Sequence, residues 1–580
     1  KSSGELDVVW IWTNGSDPLF QSAISHAEGH TQGLDTKTSR VGLSKGAKLY
    51  RDHDELRYSL RSVLLHFGQH TSNFHLLTTD VGSRYGSRFG ILPQWLDFSS
   101  SAAPQAWRDG GVKLNLVHHS QFFENLNNST FNSFSIESQL HRVTTASDPL
   151  YVTNDDFFFT KNLAPTDFYS SAYGIVLRMD PGLLVSGDEW PKDTPSGEWQ
   201  PLKYSNWLLS ERFGERSRPY MIHVAKTISP AILRELDEIW PDEFLTTAGH
   251  RFRGQRDVYT TFLHGHYIVE RWRELLLWSW VVGRWGKDDD TLGEAELDSM
   301  WDDLGGMETE ESLLIYVQLR KTLEKARMKE AFRHTNETEP TATEYVFSSL
   351  DGYPYALTHR PLGFWPKTGQ GADAALEEDR IDWDKQAWAR CKIQRSMCFP
   401  KGKSASEMFV HLMHTHAEVC GDCVIQALLG ASGQLGLEAF LPPVHRIRYA
   451  GRKGRIVNDV DPFSVPRLPL SKVPDTDSFK LQRVLNGAGT IRVRDWVLRA
   501  MERYRFVIGD TPVRFGMLSS PLTTNRFFKK IQTDDSLALL TVNDDVRIKA
   551  DMVDFIFREF LEKRWQFPSA WENVLYTTEL

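Results

Sequence analysis

The chain has 580 residues, 41% of them hydrophobic and 25% charged, and a formal net charge of -9. Its length excludes a minimal module and leaves room for about four domain equivalents, or for one enzyme core with large insertions. An ordinary composition without repeats excludes fibrous and disordered classes, and the acidic balance argues against a nucleic-acid partner.

The run "LDVVWIWTNGSDP" (Leu6 to Pro18) is an apolar, β-branched segment that ends in a polar turn, which predicts a strand. "DELRYSLRSVLLHF" follows, with Leu56, Leu60, Val63 and Leu64 at helical spacing and Asp52 or Asp54 as the N-cap. "NFHLLTTD" (Asn73 to Asp80) predicts a second strand, Ser135 to Val143 a short helix, and "PLYVTNDD" a third strand. Helices are expected over Pro230 to Phe244, from Arg256 to Trp280, and over about Leu313 to Arg333. The apolar patch Leu275 to Gly283 is far short of the ~20 residues that span a bilayer. After a Pro- and Gly-rich stretch, an amphipathic helix from about Asp495, the strand "LALLTVNDDV" and a final helix from Asp551 close the chain.

This alternation predicts an α/β fold, a Rossmann-like or GT-A-like mostly parallel sheet flanked by helices, with helical and cysteine-containing insertions. Four segments are expected: core residues 1–275, a helical segment 276–334, a Pro/Gly-rich insertion 335–473 with all four cysteines, and core residues 474–580. In such sheets ligands gather beyond the carboxyl ends of the strands.

Two strands end on Asn-Asp-Asp, at Asn154 to Asp156 and at Asn543 to Asp545. Adjacent like charges at an apolar edge repel and are costly to desolvate. One reading is that Asp155, Asp156, Asn543 and Asp544 hold Mg²⁺ or Mn²⁺; the other is that these residues only turn the chain. The cysteines (Cys391, Cys398, Cys420, Cys423) lie near His411, His414 and His416, which admits zinc, but their spacing and even number favour two disulfides. Sequons occur at Asn127, Asn128 and Asn336.

Four blocks taken in order resemble the Stealth family: "DVVWIWTNGSDP"; "RDHDELRYSLRS" through "TFNSFSIESQLHR" to "YVTNDDFFF"; "HVAKTISPAILRELDEIWPDEF" with "HRFRGQRD"; and "VNDDV" with "FPSAWE". The resemblance implies transfer of a sugar 1-phosphate from a nucleotide-sugar. It favours the metal reading of the acidic tips and selects His223, among 19 histidines, as general base. Arg253 is the candidate clamp for phosphoryl oxygens, with Asp257 as its alternative partner. Arg57 and Arg61 share a helix face and are expected either at the diphosphate or paired with Asp54 or Glu55. Trp12, Asn14, Gly15 and Asp17 are expected to form the donor pocket, so that the sequon at Asn14 stays free of glycan. Asn132, Ser135 and Glu137 resemble family site positions, Ser135 being otherwise a helix cap. Catalysis is thus assigned to His223, Arg253 and Asp156.

Lysosomal-type Stealth members carry an EF-hand-like calcium loop after the third block. The corresponding "WGKDDDTLGEAE" (Trp285 to Glu296) has Trp285 and Lys287 where oxygen ligands are needed, so a loop without calcium is expected. That loss and the cysteine insertion resemble fungal xylosylphosphotransferases, which implies UDP-xylose as donor and a mannose-containing glycan or glycoprotein as acceptor. A Golgi or other secretory-lumen location follows, with a membrane anchor upstream of Lys1 in a type II arrangement. Two rivals remain: a metal-dependent glycosyltransferase that releases UDP, and a non-catalytic glycan-binding protein.

Overall fold

The computed structural model describes residues 6–31, 51–82, 86–98, 107–124, 126, 129–187, 198–316, 324–350, 353, 355, 390–450, 465–485, 489–546 and 548–573. Strand β1 (Asp7–Trp12) lies inside a six-stranded sheet and is buried at every position. An unbroken apolar run, rather than an alternating one, is what a strand covered on both faces requires. Helix α1 (Pro18–Thr31) follows it, and α2 (Glu55–Phe67) leads to β2 (Asn73–Thr78), which pairs parallel with β1. Beyond β2 lies β3 (Val112–His118), also parallel, edged by the short strand Arg108–Asp109. On the other side of β1, β4 (Leu150–Asn154) is parallel too. The expected α/β architecture is present, and its parallel core places the ends of β1, β2, β3 and β4 on one side of the sheet.

At Asn154 the chain leaves this sheet. It turns through Asp155 and Asp156 and re-emerges as β5 (Phe157–Phe159), which belongs to a second sheet. Strand β6 (Lys226–Ile228) returns antiparallel to β4 as the edge of the first sheet. The second sheet is completed by β7 (Val513–Leu518) and β8 (Leu539–Asp544), which are mutually parallel, with β5 antiparallel to β8. Four further strands, Glu344–Ser348, Phe506–Asp510, Gly174–Leu177 and Tyr169–Ser170, form another sheet.

The helix Thr260–Trp278 is buried along its whole length and continues as a π-helical stretch to Trp285. Its charged residues are all paired: Glu274 with Arg212 at 2.6 Å, Arg273 with Asp422 at 2.5 Å, and Glu270 with Arg218 at 2.8 Å. Buried charges are tolerable only in such company. The expected boundary at 275/276 therefore falls inside one continuous helix. Residues of the cysteine region, among them Ile393, Cys398, Met408, Phe409, Cys420 and Leu428, share one apolar core with that helix, so this region is part of the body rather than an appendage.

Several local expectations change. Within the expected helix Leu313 to Arg333, Ser312–Tyr316 is a strand paired with Arg390–Gln394, and only Lys325–Thr335 is helical; the β-forming "LLIY" finds a partner that local propensity cannot reveal. Asp54 occupies the cap position of α2 in a left-handed conformation (φ 68°) without a capping bond, because its carboxylate goes to Arg57. In the calcium-like loop Asp290 accepts from Ser406, while Glu296 accepts from Gly293 and pairs with Lys287. Asn127 and Asn128 lie outside the described residues; Asn336 is exposed at the end of Lys325–Thr335.

Of two expected disulfides one is formed, Cys398–Cys420; Cys391 and Cys423 carry free thiols, with Cys423 hydrogen-bonded to Cys391. Among the described residues no three His, Cys, Asp or Glu side chains are grouped to hold a metal ion on their own. Alkylation in denaturant without reductant, followed by peptide mass spectrometry, should tag Cys391 and Cys423 and spare Cys398 and Cys420. Tagging of Cys398 or Cys420 would contradict this pairing.

Candidate active site

The two Asn-Asp-Asp turns meet. Because β5 runs antiparallel to β8, with Phe157 opposite Thr541, the first turn faces the tip of the second strand, and the Val542 amide donates to the Asp156 carbonyl at 3.0 Å. The sequence separates these turns by nearly four hundred residues; a single strand pairing joins them.

The first turn gathers buried carboxyl groups for which ionisation is costly. Asp156 Oδ1 is buried without a hydrogen-bond partner. Burial, then the Asp155 and Glu55 carboxylates, hold Asp156 well above the usual carboxylate range. Burial and Asp52 push Asp155 up to about 7, and burial raises Glu55 to about 8 against the pull of His53. Clustered carboxylates of this kind fit a divalent cation. Two carboxylates are enough for Mg²⁺, which takes its remaining ligands from water and substrate phosphates.

The second turn contributes differently from expectation. Asp544 is committed: His53 Nε2 lies at 3.0 Å, Arg51 at 3.2 Å, and the Val546 amide donates to it at 2.7 Å. Its carboxyl is held below the usual range because His53 and the other donors outweigh burial. His53 also bonds Asp554 at 2.7 Å, and these two carboxylates raise it to about 10 although burial alone would lower it. Asp544 therefore anchors the tip through His53, Arg51 and the Val546 amide. Asn543 is exposed and lies on the same face of β8 as Thr541, whose hydroxyl donates to the His223 carbonyl at 3.1 Å.

His223 stands where β6 begins, its ring edge-on to Phe157 (5.3 Å) and Phe515 (5.7 Å). Among the described residues neither ring nitrogen has a hydrogen-bond partner. Burial, with help from Lys226, lowers its pKa to about 4, so the imidazole is neutral and able to accept a proton at physiological pH. Arg253 is exposed; it pairs with Glu198 at 2.6 Å rather than with Asp257, donates to Ser133 at 3.2 Å, and rests on Phe134. Asp257 is taken by His250 and by Asn132.

Other residues expected at the substrate make contacts within the protein. Arg61 forks onto Glu572 at 2.8 and 2.5 Å and donates to the Trp565 carbonyl; Arg57 is buried against Asp54 at 2.9 Å. The Glu of "FPSAWE" claims the helix face that carries Arg61. Breaking a buried pair typically costs ~3–5 kcal/mol, so Arg61→Ala should lower the denaturation midpoint strongly; a midpoint equal to wild type would contradict this role. Asn132 is fully buried and caps α3 (Ser133–Glu137) while donating to Asp257. Ser135 is not the cap: its hydroxyl donates to the Ala248 carbonyl at 2.8 Å. Trp12 is core, Asn14 accepts from the Ser16 amide, the Gly15 carbonyl accepts from Gln21, and Asp17 caps α1 through the Leu19 amide. That loop still lies beside the acidic turn, since β1 and β4 are neighbours with Ile11 opposite Asn154.

Glu137 is buried near Lys226 and Arg253. One of its carboxylate oxygens is buried without a partner, and burial lifts it to about 7 against the pull of Lys226 and Arg253. Sequence reasoning missed Lys226, Glu198 and the Asp52 to Glu55 run. The available signals were a lysine three residues after the singled-out histidine, and four titratable residues in succession at a helix start.

Comparisons with known proteins give two family-model matches and several relatives. The model of Stealth protein CR2, conserved region 2, matches residues 49–176, and that of CR3, conserved region 3, matches residues 222–270. Between them they contain the first acidic turn, Glu137, His223, Lys226 and Arg253; the first and fourth sequence blocks lie outside both. A 3-O-alpha-D-mannopyranosyl-alpha-D-mannopyranose xylosylphosphotransferase of Cryptococcus neoformans var. grubii is 27% identical over an alignment of 712 residues, covering 99% of this chain and 78% of that protein. An exopolysaccharide phosphotransferase of Streptomyces coelicolor is 27% identical over 264 residues, 45% of this chain and 25% of the relative. The exopolysaccharide phosphotransferase CpsY of Mycobacterium tuberculosis is 26% identical over 268 residues, 46% of this chain and 44% of its own length. The chain thus matches Stealth conserved regions 2 and 3 in order and is similar along nearly its whole length to a fungal xylosylphosphotransferase.

Proposed function

We propose that the protein transfers a sugar 1-phosphate from a UDP-sugar, UDP-xylose by preference, to a hydroxyl of a mannose-containing glycan in the lumen of the secretory pathway. The observation that carries this reading is the meeting of the two Asn-Asp-Asp turns beside a neutral His223. The names of the fungal and bacterial relatives support the same reaction class. Among the described residues no helix is long and apolar enough to cross a membrane.

The acceptor hydroxyl attacks the β-phosphorus of the donor while His223 takes its proton. The bond from that phosphorus to the bridging oxygen breaks, UMP departs, and a phosphodiester joins sugar to glycan. Asp155 and Asp156 would hold Mg²⁺ or Mn²⁺, and Asn543 would be a further oxygen ligand. When bound, such a cation neutralises diphosphate charge. Asp544, clamped by His53 and Arg51, keeps the second tip in register.

The test is incubation with UDP-xylose and an α-1,3-linked mannose disaccharide, with the product analysed by mass and ³¹P spectroscopy. The reading expects a disaccharide heavier by a xylosyl phosphate that carries a diester phosphorus. A product heavier by xylose alone would refute it.

A further inference from the structure

Lys226 is claimed by none of the roles above. It opens β6 and pairs in register with Val152, two residues before the turn that starts at Asn154. Its ammonium donates to the Val224 carbonyl at 3.0 Å; among the described residues it has no ion pair. Yet its electrostatic neighbours are Glu137, Glu198 and Asp156, and it in turn acts on His223. Glu137 and Asp156 each keep a buried oxygen without a hydrogen-bond partner.

A lysine and two carboxylates that attract one another would ordinarily close into an ion pair. Here no such pair forms among the described residues, and Glu137 and Asp156 each keep a buried oxygen without a partner, at a cost in desolvation. That arrangement suits a ligand that brings its own negative oxygens to the lysine. Arg253 is less suited to the role, because it is exposed and held by Glu198 and Ser133.

We propose that Lys226 is the phosphate-binding residue of this site, its ammonium taking a non-bridging oxygen of the donor's β-phosphoryl group between the acidic turn and His223. This rests on the phosphotransferase reading and deepens it. A lysine serves as a compact point charge for such an oxygen. Placing it next to His223 sets the same phosphorus before the base that activates the acceptor. Burial lowers Lys226 to about 8, opposed by the three carboxylates, so the ammonium form still prevails at neutral pH.

Calorimetric titration with UMP and with UDP in Mg²⁺ buffer isolates the β-phosphate. Wild type should bind UDP more tightly than UMP. Lys226→Met should weaken UDP binding by about 10- to 100-fold, the usual loss for a charge-assisted hydrogen bond, and leave UMP affinity within about threefold. Lys226→Arg, which keeps the charge, should retain most of the preference for UDP and guards against a folding artefact. Unchanged UDP affinity in Lys226→Met, or equal loss of UMP and UDP in a folded Lys226→Arg, would overturn the proposal. A wild type that binds neither nucleotide would instead overturn the UDP-sugar reading on which it rests.

Discussion

Replacing His223 by alanine should lower kcat by about 10²- to 10⁴-fold, the usual contribution of a general base, while UDP-sugar affinity stays near wild type. The ring meets Phe157 and Phe515 only edge-on and has no hydrogen bond among the described residues, so its removal leaves the turn and the strand pairing in place. The pH profile adds a signed test. His223 acts in its neutral form, and its pKa is lowered to about 4 by burial and Lys226. The acid limb of kcat/KM due to this group should appear only as pH falls through about 4. Lys226 acts as an ammonium lowered to about 8, so the alkaline limb should appear as pH rises through about 8. An unfolded His223→Ala protein, or one that loses donor binding as fully as turnover, would mark the ring as structural.

Asp156→Asn should reduce transfer by about 10³-fold or more and abolish Mn²⁺ binding measured by electron paramagnetic resonance in the presence of UDP. The same change should make the metal-free protein more stable. Asp156 is held well above the ordinary carboxylate range by burial and by Asp155 and Glu55. A carboxyl with a raised folded pKa destabilises the fold increasingly as pH rises from its unfolded value through the folded one. At pH 7 to 8 the neutral amide removes that cost and should raise the melting midpoint by about 1–4 °C. Wild-type turnover at limiting Mn²⁺, or a lowered midpoint, would contradict the assignment. The opposition of stability and activity is expected where a site stores charge for its ligand.

The sequence carried the frame of this site because its signals were local. Unbroken apolar runs marked β1, β2 and β4, and the residues at the carboxyl ends of β1 and β4 held the donor loop and the acidic turn. What could not be read locally was partner choice. Arg57 and Arg61 look available on a helix face, and only the fold shows Glu572 arriving from the far end of the chain to bind Arg61. Asn132 and Ser135 are polar and close to the site in sequence, but both spend their side chains on the backbone and on Asp257. The second Asn-Asp-Asp looks equivalent to the first, yet strand alternation sends Asp544 to His53 and leaves Asn543 on the His223 face. Lys226 gave no signal of its own beyond its place three residues after His223. The strand Ser312–Tyr316 was hidden in a helical-looking stretch because its stabilising partner lies some eighty residues away.

The central claim is that the acceptor attacks phosphorus and not the sugar. It is tested most directly by identifying the nucleotide released when the protein turns over UDP-xylose with its mannose acceptor. The arrangement of His223 beside the acidic turn predicts UMP, one equivalent for each phosphodiester formed, with the anomeric configuration of the xylose retained because no bond to its C1 is touched. Release of UDP with a directly glycosidic product would contradict it.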